Sequence, residues 1–157
     1  MDHRTKGFTL IELLMALAVF LVLITLAVPA FIRSTQGTRA DTEMGDLLRG
    51  LNYARLEAID RGMTLRVRPT VGGGMWTGEL SVYEGTGTPA NVLRVVPAMS
   101  SGATLTLTSG VTAIDFNHLG GLSSSSTAVV ISYVLGTQSR TLSVCLSGRI
   151  LLGGSCG

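Results

Sequence analysis

Lys6-Gly7-Phe8-Thr9-Leu10-Ile11-Glu12 leads directly into Leu13–Ile32, a run of twenty residues with no charged side chain. At about 1.5 Å per helical residue, such a run covers the roughly 30 Å hydrocarbon core of a bilayer. The acid at its edge is the anomaly. A carboxylate is costly to dehydrate, so an ionisable residue bordering a membrane span reads as functional, and its partner has to be found.

Three plainer readings explain less. An ordinary membrane anchor accounts for the length and for the basic flank of Arg4 and Lys6, which would stay cytoplasmic, but not for Glu12. A secretory signal cleaved after Ala30 fits the small residues of Val28-Pro29-Ala30, yet the apolar run is long for that purpose and starts beside an acid. A buried helix of a soluble domain would show a polar face, and Leu13 to Ile24 has none.

The stretch GFTLIE followed by an apolar helix resembles the class III leader and N-terminus of type IV pilins and pseudopilins. The resemblance implies cleavage between Gly7 and Phe8 by a membrane-embedded prepilin peptidase, and methylation of Phe8 as the new first residue. Glu12 then takes the place of the family's acid five residues into the mature chain. In a filament it would pair with the N-terminal amine of a neighbouring subunit. Desolvation offsets much of that attraction, so the pair is expected to set register more than to add stability.

The organisation expected on this basis is a cleaved leader (1–7), a transmembrane or filament-core helix (8–32), its amphipathic continuation (33–62) and a β-rich periplasmic domain (63–157). Removing the leader takes away Arg4, Lys6 and Asp2 and leaves ten cations, all Arg, against nine acids. That near balance offers no broad electrostatic footprint for nucleic acid. The 20 Gly follow no three-residue period and so indicate turns rather than a collagen-like repeat.

From Asp41 to Asp60, Met44, Leu47, Leu48, Leu51, Ala54 and Ala58 recur at spacings of three and four, the stripe of an amphipathic helix. Pro29 is expected to kink or loosen the helix upstream, a polar stretch around Gly37 intervenes, and Gly62 is the expected stop. A continuous helix from Phe8 to Arg61 would measure about 80 Å. Beyond it the pattern changes to short strands: 63–68, 76–83, 92–96 between Pro89 and Pro97, 104–108, 111–116, 128–135, 140–146 and 149–152. Ser109-Gly110 reads as a hairpin-like pair between two of these, and 120–126 as a flexible loop. One long helix followed by many short strands predicts an α+β fold with antiparallel sheets.

This part carries its own resemblance. Asn52-x-x-Arg55-x-Glu57-Ala58-Ile59, the turn at Trp76, Phe116-x-x-x-Gly120 and a Cys-containing strand running into Ser147-Gly148-Arg149 resemble minor pilins and pseudopilins of the GspH/FimT/FimU type. The periplasmic location so implied is oxidising, and Cys145 and Cys156 are expected to form a disulfide there. A zinc site would need more ligands than two Cys and His118 supply, and nothing places His118 beside a thiol as a base.

Catalytic constellations are missing from the pattern. The chain has no G-x-S-x-G elbow, Gly72-Gly73-Gly74 lacks the Lys-Ser/Thr ending of a P-loop, and Glu84 and Asp115 are isolated acids. The chain is therefore expected to be a non-enzymatic subunit without cofactor or metal. Glu57 is expected to pair with Arg61 four residues on, Arg55 to face the sheet or anchor a loop, and Trp76 to pack between helix and sheet.

The leading expectation for function is a minor pilin of the bacterial inner membrane, with a periplasmic C-terminal domain, that primes or caps a type IV pilus. Its partners would be the sibling minor pilins, the major pilin and the prepilin peptidase. The runner-up is the H-type pseudopilin of a type II secretion system. A third reading is a DNA-binding pilin of the FimT type, whose receptors carry Gly-Arg-x-Arg. Here the stretch is Gly148-Arg149-Ile150-Leu151, so the second Arg is missing, and Arg149 with Arg140 would give only a weak phosphate grip.

Overall fold

The computed structural model describes residues 8–87, 91–108 and 110–157. Gly7 with the leader, Pro89 and Ser109 lie outside the described residues. The chain divides into two compact units, one ending at Thr35 and one covering Gln36–Gly157.

Helix α1 covers Leu10–Arg61, 52 residues without a break. Neither Pro29 nor the polar stretch around Gly37 ends it, so helical character is not regained at Asp41 but never lost. One missing ladder bond and one Gly cost too little to stop a helix already propagating on both sides. Thr35 and Thr42 donate their hydroxyls to the carbonyls of Phe31 and Thr38, four residues back (both 2.9 Å). The stop is the expected one. Gly62 adopts φ +64, and the amides of Gly62 and Met63 close back on the carbonyls of Ile59 and Ala58, the paired bonds of a Schellman cap.

In the second unit the stripe Ala40, Met44, Leu47, Leu51, Ala54 and Ala58 is buried in one apolar core shared with two antiparallel sheets. The first sheet has the order β3-β2-β1-β5, from β1 (Leu65–Pro69), β2 (Leu80–Glu84), β3 (Val92–Val96) and β5 (Ile114–Phe116). The second has the order β4-β6-β7-β8, from β4 (Ala103–Leu107), β6 (Val129–Leu135), β7 (Gln138–Val144) and β8 (Ile150–Leu152). Leu65 and Val67 on β1, and Val129, Ile131, Tyr133 and Leu135 on β6, alternate inward as two-residue periodicity demands. Gly50 gives α1 its close approach to the first sheet: a Cβ there would lie 2.4 Å from Val96 Cγ2.

Two expectations need correction. The segments on either side of Ser109-Gly110 are not a hairpin. β4 pairs with β6 in one sheet and β5 pairs with β1 in the other, so the chain changes sheets there. A Gly turn dictates a bend, whereas the choice of partner is made by which strand has a complementary inward face. The strand expected from Trp76 begins only at Leu80, because Met75–Gly78 closes a turn (Gly78 N–H to Met75 O, 2.9 Å) and the Thr77 carbonyl is taken by Met99 N–H.

Candidate functional site

The N-terminal segment is organised by Thr9. Its hydroxyl accepts the Glu12 backbone N–H at 3.3 Å, and its carbonyl accepts the Leu13 N–H at 3.2 Å. Thr9-Leu10-Ile11-Glu12 thus has the pattern of a capping box, with the Glu12 carboxylate in the first helical turn, where the helix dipole favours negative charge. Sequence reasoning passed over Thr9, although a Thr three residues before a Glu at the start of an apolar run is the signal for it. Phe8 is exposed beside it, as is every residue onward through Ser34. α1 contains a stretch long and apolar enough to cross a membrane.

The motif residues of the second unit converge on architecture. Arg55 donates Nε–H to the Gly120 carbonyl at 3.1 Å, anchoring the loop after β5. A Cβ on Gly148 would stand 1.7 Å from that same carbonyl oxygen, and Gly148 has φ +77. Arg55, Gly120 and Gly148 are therefore one contact: helix, loop and the turn before β8 meet at backbone distance. Asn117 braces the same loop, its Oδ1 accepting N–H from Leu119 and Gly121. Within 120–126, Gly120 and Leu122 are buried, and the Ser123 N–H donates to the Asp115 carbonyl at 2.8 Å.

A second junction centres on Glu43. Its carboxylate accepts the Ser100 N–H at 3.0 Å, the Ser100 hydroxyl, and the Tyr133 hydroxyl at 2.6 Å, joining α1 to the loop before β4 and to β6. Burial and the bond to Glu43 raise the Tyr133 pKa. Arg61 joins Glu57 (2.6 Å), as its i+4 spacing predicts, and also reaches Glu84 on β2. Trp76 is half-buried in the loop between β1 and β2 and packs against the core shared by α1 and the sheets.

The two arginines considered for DNA do not meet. Val144 pairs with Ile150, so Arg149 stands opposite Cys145 at one end of β7, and Arg140 lies five residues further along the strand, about 17 Å away. Arg140 is committed to Asp41 at 2.6 Å, and that bond holds the Asp41 carboxyl below its ordinary value. Arg149 is exposed in the turn before β8. Cys145 and Cys156 form a disulfide that fastens the C-terminal tail to β7, assisted by the Ser143 hydroxyl donating to the Gly154 carbonyl (2.7 Å). Among the described residues no group of three His, Cys, Asp or Glu is placed to hold a metal ion.

Comparison with known proteins agrees with this geometry. The sequence profile of the family described as type II transport protein GspH matches residues 43–149, and that of the prokaryotic N-terminal methylation motif matches residues 2–28. No curated protein matches the chain at a significant level. Two crystal forms of the type IV minor pilin FimU of Pseudomonas aeruginosa are similar in fold. One is 24% identical with a TM-score of 0.62, covering 74% of this chain and 94% of that one. The other is 23% identical with a TM-score of 0.62, covering 80% and 92%. The minor pseudopilin EpsH of the Vibrio cholerae type 2 secretion system is 16% identical over 73% of this chain and 92% of its own, with a TM-score of 0.46.

Proposed function

The chain belongs to the GspH family of type IV pilin-like proteins, and we propose that within it this protein is a minor pilin that primes or caps type IV pilus assembly. The observation that carries the reading is the wholly exposed, charge-free stretch Leu13–Ile32 placed directly behind Gly7-Phe8 and Glu12. Such a surface is stable only against lipid or against other apolar helices, so the protein needs a bilayer before assembly and neighbouring subunits after it. Prepilin peptidase cuts after Gly7, Phe8 is methylated, and the domain from about residue 33 stands in the periplasm. Glu12 pairs with a neighbour's N-terminal amine as the helix leaves the lipid. The disulfide supports the pilus over a secretion pseudopilus, since such C-terminal bridges are more usual in pilins.

The family description itself favours a second reading, an H-type pseudopilin of a type II secretion system. One experiment separates the two. Deleting the gene should remove surface pili and twitching while secretion of type II substrates continues. Lost secretion with intact pili would establish the second reading instead.

A further inference from the structure

On β1, Arg66 and Arg68 point to the face opposite the core, where segments 73–76 and 111–113 enclose a pocket of about 370 Å³. That volume lies in the range of small-molecule sites, roughly 300–1,000 Å³. The two cations in its wall are not equivalent. Arg66 is fully engaged: Nε and Nη2 grip both Asp115 oxygens (2.7 and 2.6 Å), and Nη1 reaches the Thr86 carbonyl. Arg68 has no carboxylate partner among the described residues. Its Nε is shielded from solvent and meets no acceptor, while its guanidinium lies over the Tyr83 ring, 5.2 Å from the centroid. Because Nε is closed to solvent, a ligand in the pocket meets the terminal Nη1 and Nη2 groups, a pair of donors able to bind a carboxylate through two parallel bonds.

We propose that this pocket is a binding site for a singly charged carboxylate, gripped by Arg68, with the apolar body of the ligand against Trp76. The charge count selects the class. Asp115 cancels Arg66, so one positive charge remains, which a carboxylate balances and a doubly charged phosphate exceeds. Among the described residues Arg68 has no carboxylate to balance it, whereas Arg66 beside it has Asp115. The carboxylate belongs either to a free small molecule or to an acidic side chain of a polypeptide.

Trp76 is the sole tryptophan, so its fluorescence reports on the pocket alone. The full chain in detergent micelles should be titrated with N-acetylalanine, its uncharged amide, inorganic phosphate, and the blocked tripeptide acetyl-Gly-Asp-Gly-amide. The carboxylates should give a saturable change, and the amide and phosphate none. Tighter binding of the tripeptide would identify a polypeptide carboxylate as the source, and tighter binding of N-acetylalanine a free one. Arg68→Gln should weaken the response about tenfold or more. Thr112→Glu, which sets a carboxylate in the wall at an exposed position, should abolish the response without disturbing the fold. No saturable signal, an equal response to amide or phosphate, or full binding by a folded Arg68→Gln variant would overturn the site.

Discussion

At the scale of single residues, two positions carry distinct demands. Gly148 has both a left-handed backbone and the Gly120 carbonyl where a Cβ would go, at 1.7 Å. Neither atom is the end of a flexible side chain, so Gly148→Ala must move backbone. The variant should lose about 3 kcal/mol or more and melt roughly 6–12 °C lower. A melting point within two or so degrees of the parent would mean the junction yields easily. Glu12 has a local duty as well as a proposed intersubunit one, because its turn is capped by Thr9. Glu12→Gln preserves the capping-box shape and removes the charge. It should leave the protein helical and membrane-bound but poorly incorporated into filaments, and Thr9→Ala should cost only the cap, about 1 kcal/mol of local helix stability. Normal incorporation of Glu12→Gln in a pull-down of sheared filaments would remove the charge pairing from the mechanism.

At the scale of elements, the Glu43 junction couples α1 to the second sheet. Tyr133→Phe and Glu43→Ala each break the same bond, so their effects should not add. A double-mutant cycle by urea unfolding should give a coupling of about 0.5–3 kcal/mol, and strict additivity would show that the bond contributes nothing. Asp41 and Arg140 tie the helix to β7 at the surface. Because Arg140 holds the Asp41 carboxyl below 3.8, the stability from this pair is present above that pH and is lost as the pH falls through the lowered value. Asp41→Asn should flatten that part of the acid limb. The effect is small and disappears in 1 M salt, since the pair is open to solvent; an unchanged acid limb would leave the pair without a role in stability.

At the scale of the whole molecule, the buried core among the described residues lies in the second unit, while residues 8–34 of the first are exposed and largely apolar. Intact mass of the membrane-extracted protein should show the loss of residues 1–7 and the gain of one methyl group. An N-terminus at Phe31 would point to ordinary signal cleavage. The disulfide closes a short loop, with a sequence separation of 11. Replacing both Cys145 and Cys156 by Ala should destabilise the protein by about 2–3 kcal/mol in the loop-entropy view. A loss within experimental error would mean that the tail is held by its hydrogen bonds alone.

The membrane-long helix, its stop at Gly62 and the inward faces of β1 and β6 were legible in the sequence. Each rests on local chemistry: uncharged length, a glycine able to adopt positive φ, a period of two. Thr9 was legible too, since the capping box lies within four residues. What only tertiary structure decided is partnership. Gly110 marks a bend, but the assignment of β4 and β5 to different sheets depends on faces supplied by β6 and β1, far away in sequence. Arg55, Gly120 and Gly148 read as three separate motif letters until folding brings them to one carbonyl. Arg66 and Arg68 look alike along the strand, and Arg140 and Arg149 look like a pair. Asp115 and Asp41 separate them, because what a charge does depends on which counter-charge the fold brings within a few ångströms.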